Sequence, residues 1–311
     1  MDGLNPAQRK VIELLGRTGE DSPLADDVAD ELRLELHNGL ADLAAELTPD
    51  QPVFVSKHAL TTIHGCEAHH AAGSGDFEWT IASARGTVAH KAIEVLVHHR
   101  GEAFPVSLVD EGIARLLNDE RSNIGAFLGR ASEYDLAELR AAAVAKVSAF
   151  QECFPPLRDR WYPVVESRSR VDLFGGRIAL SGKTDLTLGR SPRKVIIDLK
   201  TGWVASTHRE DLRFYALVET LKLGAAPRKL ATYYLDSAST HPEDVTLGTL
   251  QAAARRTIDG VRRIIEVTRL EEEPKIRPGP QCRWCPLQTT CDQGIAALQR
   301  ADDPDLVGSP W

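Results

Sequence analysis

The stretch from Ser181 to Gly202 constrains this chain more than any other. It reads Ser181-Gly182-Lys183-Thr184-Asp185, a turn, and then Val195-Ile196-Ile197-Asp198-Leu199-Lys200-Thr201-Gly202. Two apolar, β-branched segments flank the turn-forming Gly189-Arg190-Ser191-Pro192, which predicts a β-hairpin. Such a hairpin folds Asp185 and Asp198 back toward each other, within reach of one hard cation. Lys200 follows Asp198 by two positions, so on a strand both side chains project from one face. Two oxygen-donor acids beside an ammonium group suit a metal ion that polarises a phosphate while the lysine handles the attacking water. A solvated surface hairpin is the plainer reading, but Ile196, Ile197 and Leu199 mark a buried strand. A charge at the end of a buried strand has to be paired, metal-bound or facing a cleft.

Gly182-Lys183-Thr184 imitates the end of a nucleotide-binding phosphate loop. That loop needs glycine five positions before the Gly-Lys pair, where this chain has Arg177, and it must lead into a helix. Asp185-Leu186-Thr187-Leu188 alternates like a strand instead, so ATP binding is rejected.

With 311 residues the chain can bury a substantial core. No apolar run approaches the ~18 residues of a membrane span, and the first residues lack the pattern of a signal peptide. A cytoplasmic protein with no membrane association is the expectation. The net charge of -8 argues against a broadly basic nucleic-acid coat and leaves room for a local basic groove.

Residues 1–50 read as a helical N-terminal extension without chemistry of its own. Ser56 is placed to cap a short helix that leads to Cys66, and the nearby His58, His64, His69 and His70 read as ordinary solvated or core histidines. A helix over Ala84 to Leu96 carries His90 outside its apolar stripe. Residues 101–153 read as a helical insertion, and Cys153 within it as an ordinary buried thiol. Arg158, Arg160, Arg168 and Arg170 accompany Trp161 and Tyr162 in a segment that suits phosphate tracking as well as simple solubility, and Glu166 adds a third acid. A helix over Ser206 to Leu223 bears Asp211 and Tyr215 four positions apart. A strand at 229–236 and an amphipathic helix at 245–270 complete a compact α/β core, the helix with Arg255, Arg256, Arg262 and Arg263 on its basic face.

Near the end, Cys282, Cys285 and Cys291 follow a Cys-x2-Cys-x5-Cys spacing. Three thiolates this dense need a metal and a fourth ligand, for which Cys66 is the choice; the set accepts zinc or a [4Fe-4S] cluster equally.

Taken together in this order, these motifs make the chain resemble the PD-(D/E)XK nucleases over about Val53 to Gln293. The resemblance is to the RecB-type branch with an iron-sulfur staple, which includes AddB nuclease domains, CRISPR-associated adaptation exonucleases and exonuclease V. It implies a restriction-endonuclease-like α/β fold, a mixed central sheet flanked by helices, over residues 51–295. The iron-sulfur segment would span 280–292, and 296–311 would form an acidic tail. His90, Asp185, Asp198 and the main-chain carbonyl of Leu199 would hold Mg2+ or Mn2+, Lys200 would orient or activate the water, and Glu166 and Tyr215 would complete the catalytic set. The resemblance favours a [4Fe-4S] cluster over zinc at Cys66, Cys282, Cys285 and Cys291. The implied activity is a metal-dependent DNA nuclease, a single-strand exonuclease of repair, recombination or defence, with a helicase or other protein partner. The competing expectation is an iron-sulfur DNA-binding or docking subunit with little cleavage. One departure stands out: the family places Gln where this chain has Asp211, a carboxylate that needs the metal, Arg209 or Arg213 as a partner.

Overall fold

Local sequence signals account for most of the elements. The structure, a computed structural model, describes residues 3–17, 24–73, 78–120 and 122–302. Helix α1 (Pro6–Leu15) starts on a capping box between Asn5 and Gln8, with Pro6 fixing the first turn. After α2 (Val28–Ala45), strand β1 (Val53–Val55) leads into α3 (Lys57–Gly65), where the Ser56 hydroxyl accepts the Ala59 amide at 3.2 Å, the cap read from the sequence. Helix α4 (Glu67–Ala71) follows, and α5 (Ile81–His98) opens on Thr80 and Ser83 as a second capping box. The stretch expected to be helical holds α6 (Pro105–Leu117), α7 (Ile124–Leu128) and α8 (Glu133–Cys153). Cys153, expected to be buried, is left half-buried as the last residue of α8.

Strands β2 (Val164–Leu173), β3 (Ile178–Leu188) and β4 (Val195–Lys200) come next. Helix α9 (Ser206–Leu223) ends at Gly224, whose φ of 72° is the left-handed stop that glycine adopts without strain. Strands β5 (Lys229–Tyr234) and β6 (Ser239–Asp244), then α10 (Leu247–Thr268) and α11 (Asp292–Asp302), complete the list. Strand β6 was not expected, because Pro242 and its polar neighbours hide an edge strand from a pattern reading. The expected tail at 296–311 begins instead inside α11, and residues 303–311 lie outside those described.

The chain divides into two compact units. The first comprises Met1–Glu31, Glu78–Ser169 and Gly182–Leu250. Its sheet is mixed: β3 pairs antiparallel with β4, β4 parallel with β5, and β5 antiparallel with β6, while β2 runs beside β3. Every residue of β4 up to Leu199 is buried, as a central strand covered on both faces requires. Ile197 and Leu199 enter a core with Val88, Ala92, Leu108, Leu139 and Tyr233, so the helices expected as an insertion supply one wall of the sheet. Each fully buried side chain of this size contributes about 1.5–3 kcal/mol.

The second unit comprises Leu32–Phe77, Arg170–Ser181 and Gln251–Trp311. Here β1 pairs in parallel with the first residues of β3, Val53 opposite Ile178 and Val55 opposite Leu180. Leu36, Leu40, Leu60, Ile63, Val261 and Ile265 are buried. Glu67, 2% exposed, accepts hydrogen bonds from the Arg263 guanidinium at 2.7 Å and from the Lys275 amide at 3.0 Å. That paired charge ties the segment after Cys66 to α10 and to the strand of chain that leads to the other cysteines.

Gly260 lets α10 lie directly on α3. A side chain there would begin 2.5 Å from Leu60 Cδ2 and 2.9 Å from His64 Nε2. Gly260→Ala therefore overpacks the contact and costs about 2 kcal/mol despite the better helix propensity of alanine. Thermal unfolding of the variant checks this, and a melting temperature equal to or above that of the native chain contradicts it.

Candidate active site and cysteine cluster

The hairpin read from the sequence exists and sets the geometry of the acids. Leu186 lies opposite Ile197 and Leu188 opposite Val195, so the next pair outward is Asp185 opposite Asp198. The Leu199 amide donates to Asp185 Oδ2 at 2.8 Å, which fixes that carboxylate and turns Oδ1 toward His90 Nδ1, 3.6 Å away. Lys200 Nζ lies 2.9 Å from Asp198 Oδ2 and 3.7 Å from Asp211 Oδ2. The structure thus brings together His90 from α5, Asp185 from β3, Asp198 and Lys200 from β4, and Asp211 from α9.

Asp211 lies with these acids. Arg209 and Arg213 are engaged by Glu243, at 2.8 and 2.6 Å, so neither serves it; it joins the Lys200 cluster instead. Three carboxylates against one ammonium and one imidazole leave a surplus of negative charge in either protonation state of His90. Burial opposes a charge on His90, but Asp185 and then Asp198 outweigh it and hold the imidazole pKa above its ordinary value, with Lys200 acting the other way. Burial first, and then Asp198, Asp185 and Asp211, push the Tyr215 phenol upward. Tyr215 is therefore a neutral hydroxyl, fit to donate a hydrogen bond and unfit to act as a base.

Glu166 is placed differently from the other acids. It is ion-paired with Lys183 and has a left-handed backbone, with φ at 54°. Lys183 and Asp185 alternate on one face of β3, so this pair flanks the aspartates.

Gly182, from the rejected phosphate-loop likeness, and Gly86 of α5 have packing reasons. A side chain on Gly182 would begin 2.7 Å from Tyr215 Cδ1, and one on Gly86 would begin 2.9 Å from Thr201 Oγ1. Both let a functional element approach closely: the Tyr215 ring over β3, and the end of β4 against the helix that carries His90. Reading the sequence also missed Lys146 and Asp236. The buried Lys146 pairs with Asp236, whose other oxygen accepts the Gly202 amide at 2.7 Å, while the Leu235 amide donates to the Lys200 carbonyl at 2.8 Å. Together these bonds fix the backbone from Lys200 to Gly202. An alanine-rich helix and a strand end gave no signal of this pairing.

The four cysteines expected as one ligand set all belong to the second unit. Backbone amides donate to three of the sulfurs, Arg277 to Cys66, Gly279 to Cys282 and Gly294 to Cys291, each at 3.4 Å. A side chain on Gly294 would begin 3.5 Å from both Cys282 Sγ and Cys291 Sγ, which puts those sulfurs side by side. Burial raises the Cys285 pKa; a Leu287 backbone hydrogen bond lowers it, and the neighbouring Cys66, Cys282 and Cys291 raise it further. All four are free thiols. Among the described residues, no group of three or more His, Cys, Asp or Glu side chains forms a ready-made metal cage, at the cysteines or at the acids. Magnesium does not need one, since it is commonly held by one or two carboxylates together with substrate phosphate and water. Among the described residues no helix is long and apolar enough to cross a membrane.

Comparison with known proteins places this geometry. No curated protein matches the chain by sequence. Among solved structures it is similar to a candidate exonuclease from Eubacterium rectale, with 13% identity and a TM-score of 0.44 over 78% of this chain and 87% of that one. It is also similar to the protein SSO0001, with 14% identity and a TM-score of 0.31 over 67% of this chain and 95% of the other. Likenesses this distant say nothing of activity. The sequence model of the PD-(D/E)XK nuclease superfamily, by contrast, matches residues 55–292, which include every residue of the acid cluster and all four clustered cysteines, and the chain belongs to that superfamily.

Proposed function

We propose that this chain is a metal-dependent DNA nuclease of the RecB-type branch, a single-strand exonuclease serving repair, recombination or defence. The observation that carries the reading is Asp185 set opposite Asp198, with His90 and Lys200 at 3.6 and 2.9 Å from their respective carboxylates. An acidic surplus around buried oxygens is the donor chemistry that a hard divalent cation satisfies. His90, Asp185, Asp198 and the Leu199 carbonyl would hold Mg2+ or Mn2+. When bound, the ion supplies charge stabilisation at the scissile phosphate.

The remaining work falls to the chain's own groups. The Leu199 amide holds one oxygen of Asp185, so the other is presented to the site in a fixed direction. Lys200, held between Asp198 and Asp211, orients the attacking water and balances part of the charge that builds on the phosphate. Tyr215 donates its hydroxyl proton as a hydrogen bond. Glu166, turned onto Lys183, is best given a supporting electrostatic role beside Asp185.

At the second centre, Cys66, Cys282, Cys285 and Cys291 would hold a [4Fe-4S] cluster, with zinc the alternative. The amides directed at three of the sulfurs are donors that would orient them as ligands. The cluster would join Cys66 to the segment after Lys275, a connection that Glu67 and Arg263 already make by charge. A DNA helicase or other repair or defence protein is the proposed partner.

Labelled single-stranded DNA with Mg2+ or Mn2+ tests the enzyme. Asp198→Ala and Lys200→Ala are each expected to lower cleavage by about 10³-fold, the rate equivalent of several kcal/mol. Equal degradation by the native chain and both variants removes the assignment. For the second centre, Cys66→Ala is expected to abolish bound iron and lower the melting temperature, because ligation energy is folding energy. Unchanged iron content and melting exclude Cys66 as a ligand.

A further inference from the structure

Immediately after Lys200 the chain exposes what a stable surface would hide. Trp203 is 93% exposed and Val204 61% exposed, in the loop Thr201 to Ala205 between β4 and α9. An isolated exposed aliphatic residue needs no explanation, whereas a fully projecting tryptophan is rare because its large apolar area gains so much from burial. The loop that presents it is pinned on both sides. Thr201 lies against Gly86 of α5, where any side chain would begin 2.9 Å from its hydroxyl oxygen. The Gly202 amide donates to Asp236 at 2.7 Å, and Asp236 is held in turn by Lys146. The indole is therefore carried on a fixed support directly beyond the lysine of the acid cluster.

A cation accompanies it. Arg85 precedes Gly86 on α5, the helix whose next turn carries His90. Its Nε is buried and has no hydrogen-bond partner among the described residues. The guanidinium lies near the Gly202 anchor: burial opposes the charge of Asp236, but Lys146, the Gly202 amide and Arg85 together hold its carboxyl below the ordinary value. Arg85 as a whole is only half-buried, so its guanidinium is not wholly withdrawn from solvent.

We infer that Trp203 and Arg85 form a nucleotide subsite at the mouth of the acid cluster, the indole stacking on one unstacked base and the guanidinium taking a phosphate of the same strand. This rests on the nuclease reading and deepens it by naming what selects the substrate. A base can lie on Trp203 only when it is free of its own stack and partner, so the subsite accepts single strands and frayed ends and rejects closed duplex. Aromatic stacking serves any base, so the subsite carries no sequence preference. The acids beside it repel phosphate, which makes an added cation and an apolar platform the means by which a chain of net charge -8 keeps hold of a polyanion.

Binding is measured without turnover, in the Asp198→Ala chain with EDTA, using fluorescence anisotropy of a labelled oligo-dT and of a blunt duplex of equal length. Adding Trp203→Ala is expected to weaken oligo-dT binding about tenfold and to leave duplex binding unchanged, and Trp203→Phe is expected to restore most of the loss. Adding Arg85→Gln is expected to lower the slope of log affinity against log salt by about 0.7, the loss of one phosphate contact to a single strand. Trp203 projects into solvent, so its variants fold like the parent. Unchanged oligo-dT affinity in both Trp203→Ala and Arg85→Gln overturns the subsite, even if the native chain cleaves DNA. The predicted losses in a native chain that cleaves nothing uphold the subsite and discard the nuclease reading alone.

Discussion

The antiparallel pairing of β3 with β4 is the constraint on which the site depends. Because Leu186 lies opposite Ile197, Asp185 can only lie opposite Asp198. A one-residue slip of β4 would turn Asp198 away from Asp185 to the other face and send Ile197 and Leu199 out of the core. The same apolar side chains that bury the hairpin therefore fix the spacing of its acids. Packing and chemistry are set by one register.

Electrostatics then explains why the cluster is built as it is. Asp198 is 2% exposed, and an isolated carboxylate at that depth would cost several kcal/mol. Lys200 offsets one charge, the Leu199 amide and His90 share Asp185, and Asp211 adds a further acid on the helix side. What remains is a surplus of negative charge that adds to burial in lifting the Tyr215 phenol and outweighs burial in holding the His90 imidazole above its ordinary value. A fold that needed only stability would replace such a group with apolar residues of similar volume. Retaining it makes sense for a centre completed by a cation.

Much of this was legible in the sequence, for reasons that differ by residue. The hairpin and the cap at Ser56 follow from local chemistry, where turn residues and period-two alternation act within a few positions. His90 was reachable only through resemblance, since nothing on its own helix tells an imidazole beside an acid from one in solvent. Which of its two open settings Asp211 takes was not legible, because the neighbouring Arg209 and Arg213 turn to Glu243 on a strand still to come. Lys146 with Asp236 and Glu67 with Arg263 were invisible, each pair being joined by long-range folding. Gly182 was seen as a motif letter, and only the packing of Tyr215 and Thr201 gives it and Gly86 a reason. The division into two units, each assembled from separate stretches of chain, has no marker in composition.

The central claim is that Asp185 and Asp198 share one divalent ion. Titrating the purified chain with Mn2+ and following the free ion by electron paramagnetic resonance tests it directly, without substrate and without turnover. The account predicts a site that is saturable in the native chain, is competed by Mg2+, and is lost in both Asp185→Ala and Asp198→Ala. Mn2+ binding that persists with the same affinity in both variants would contradict it.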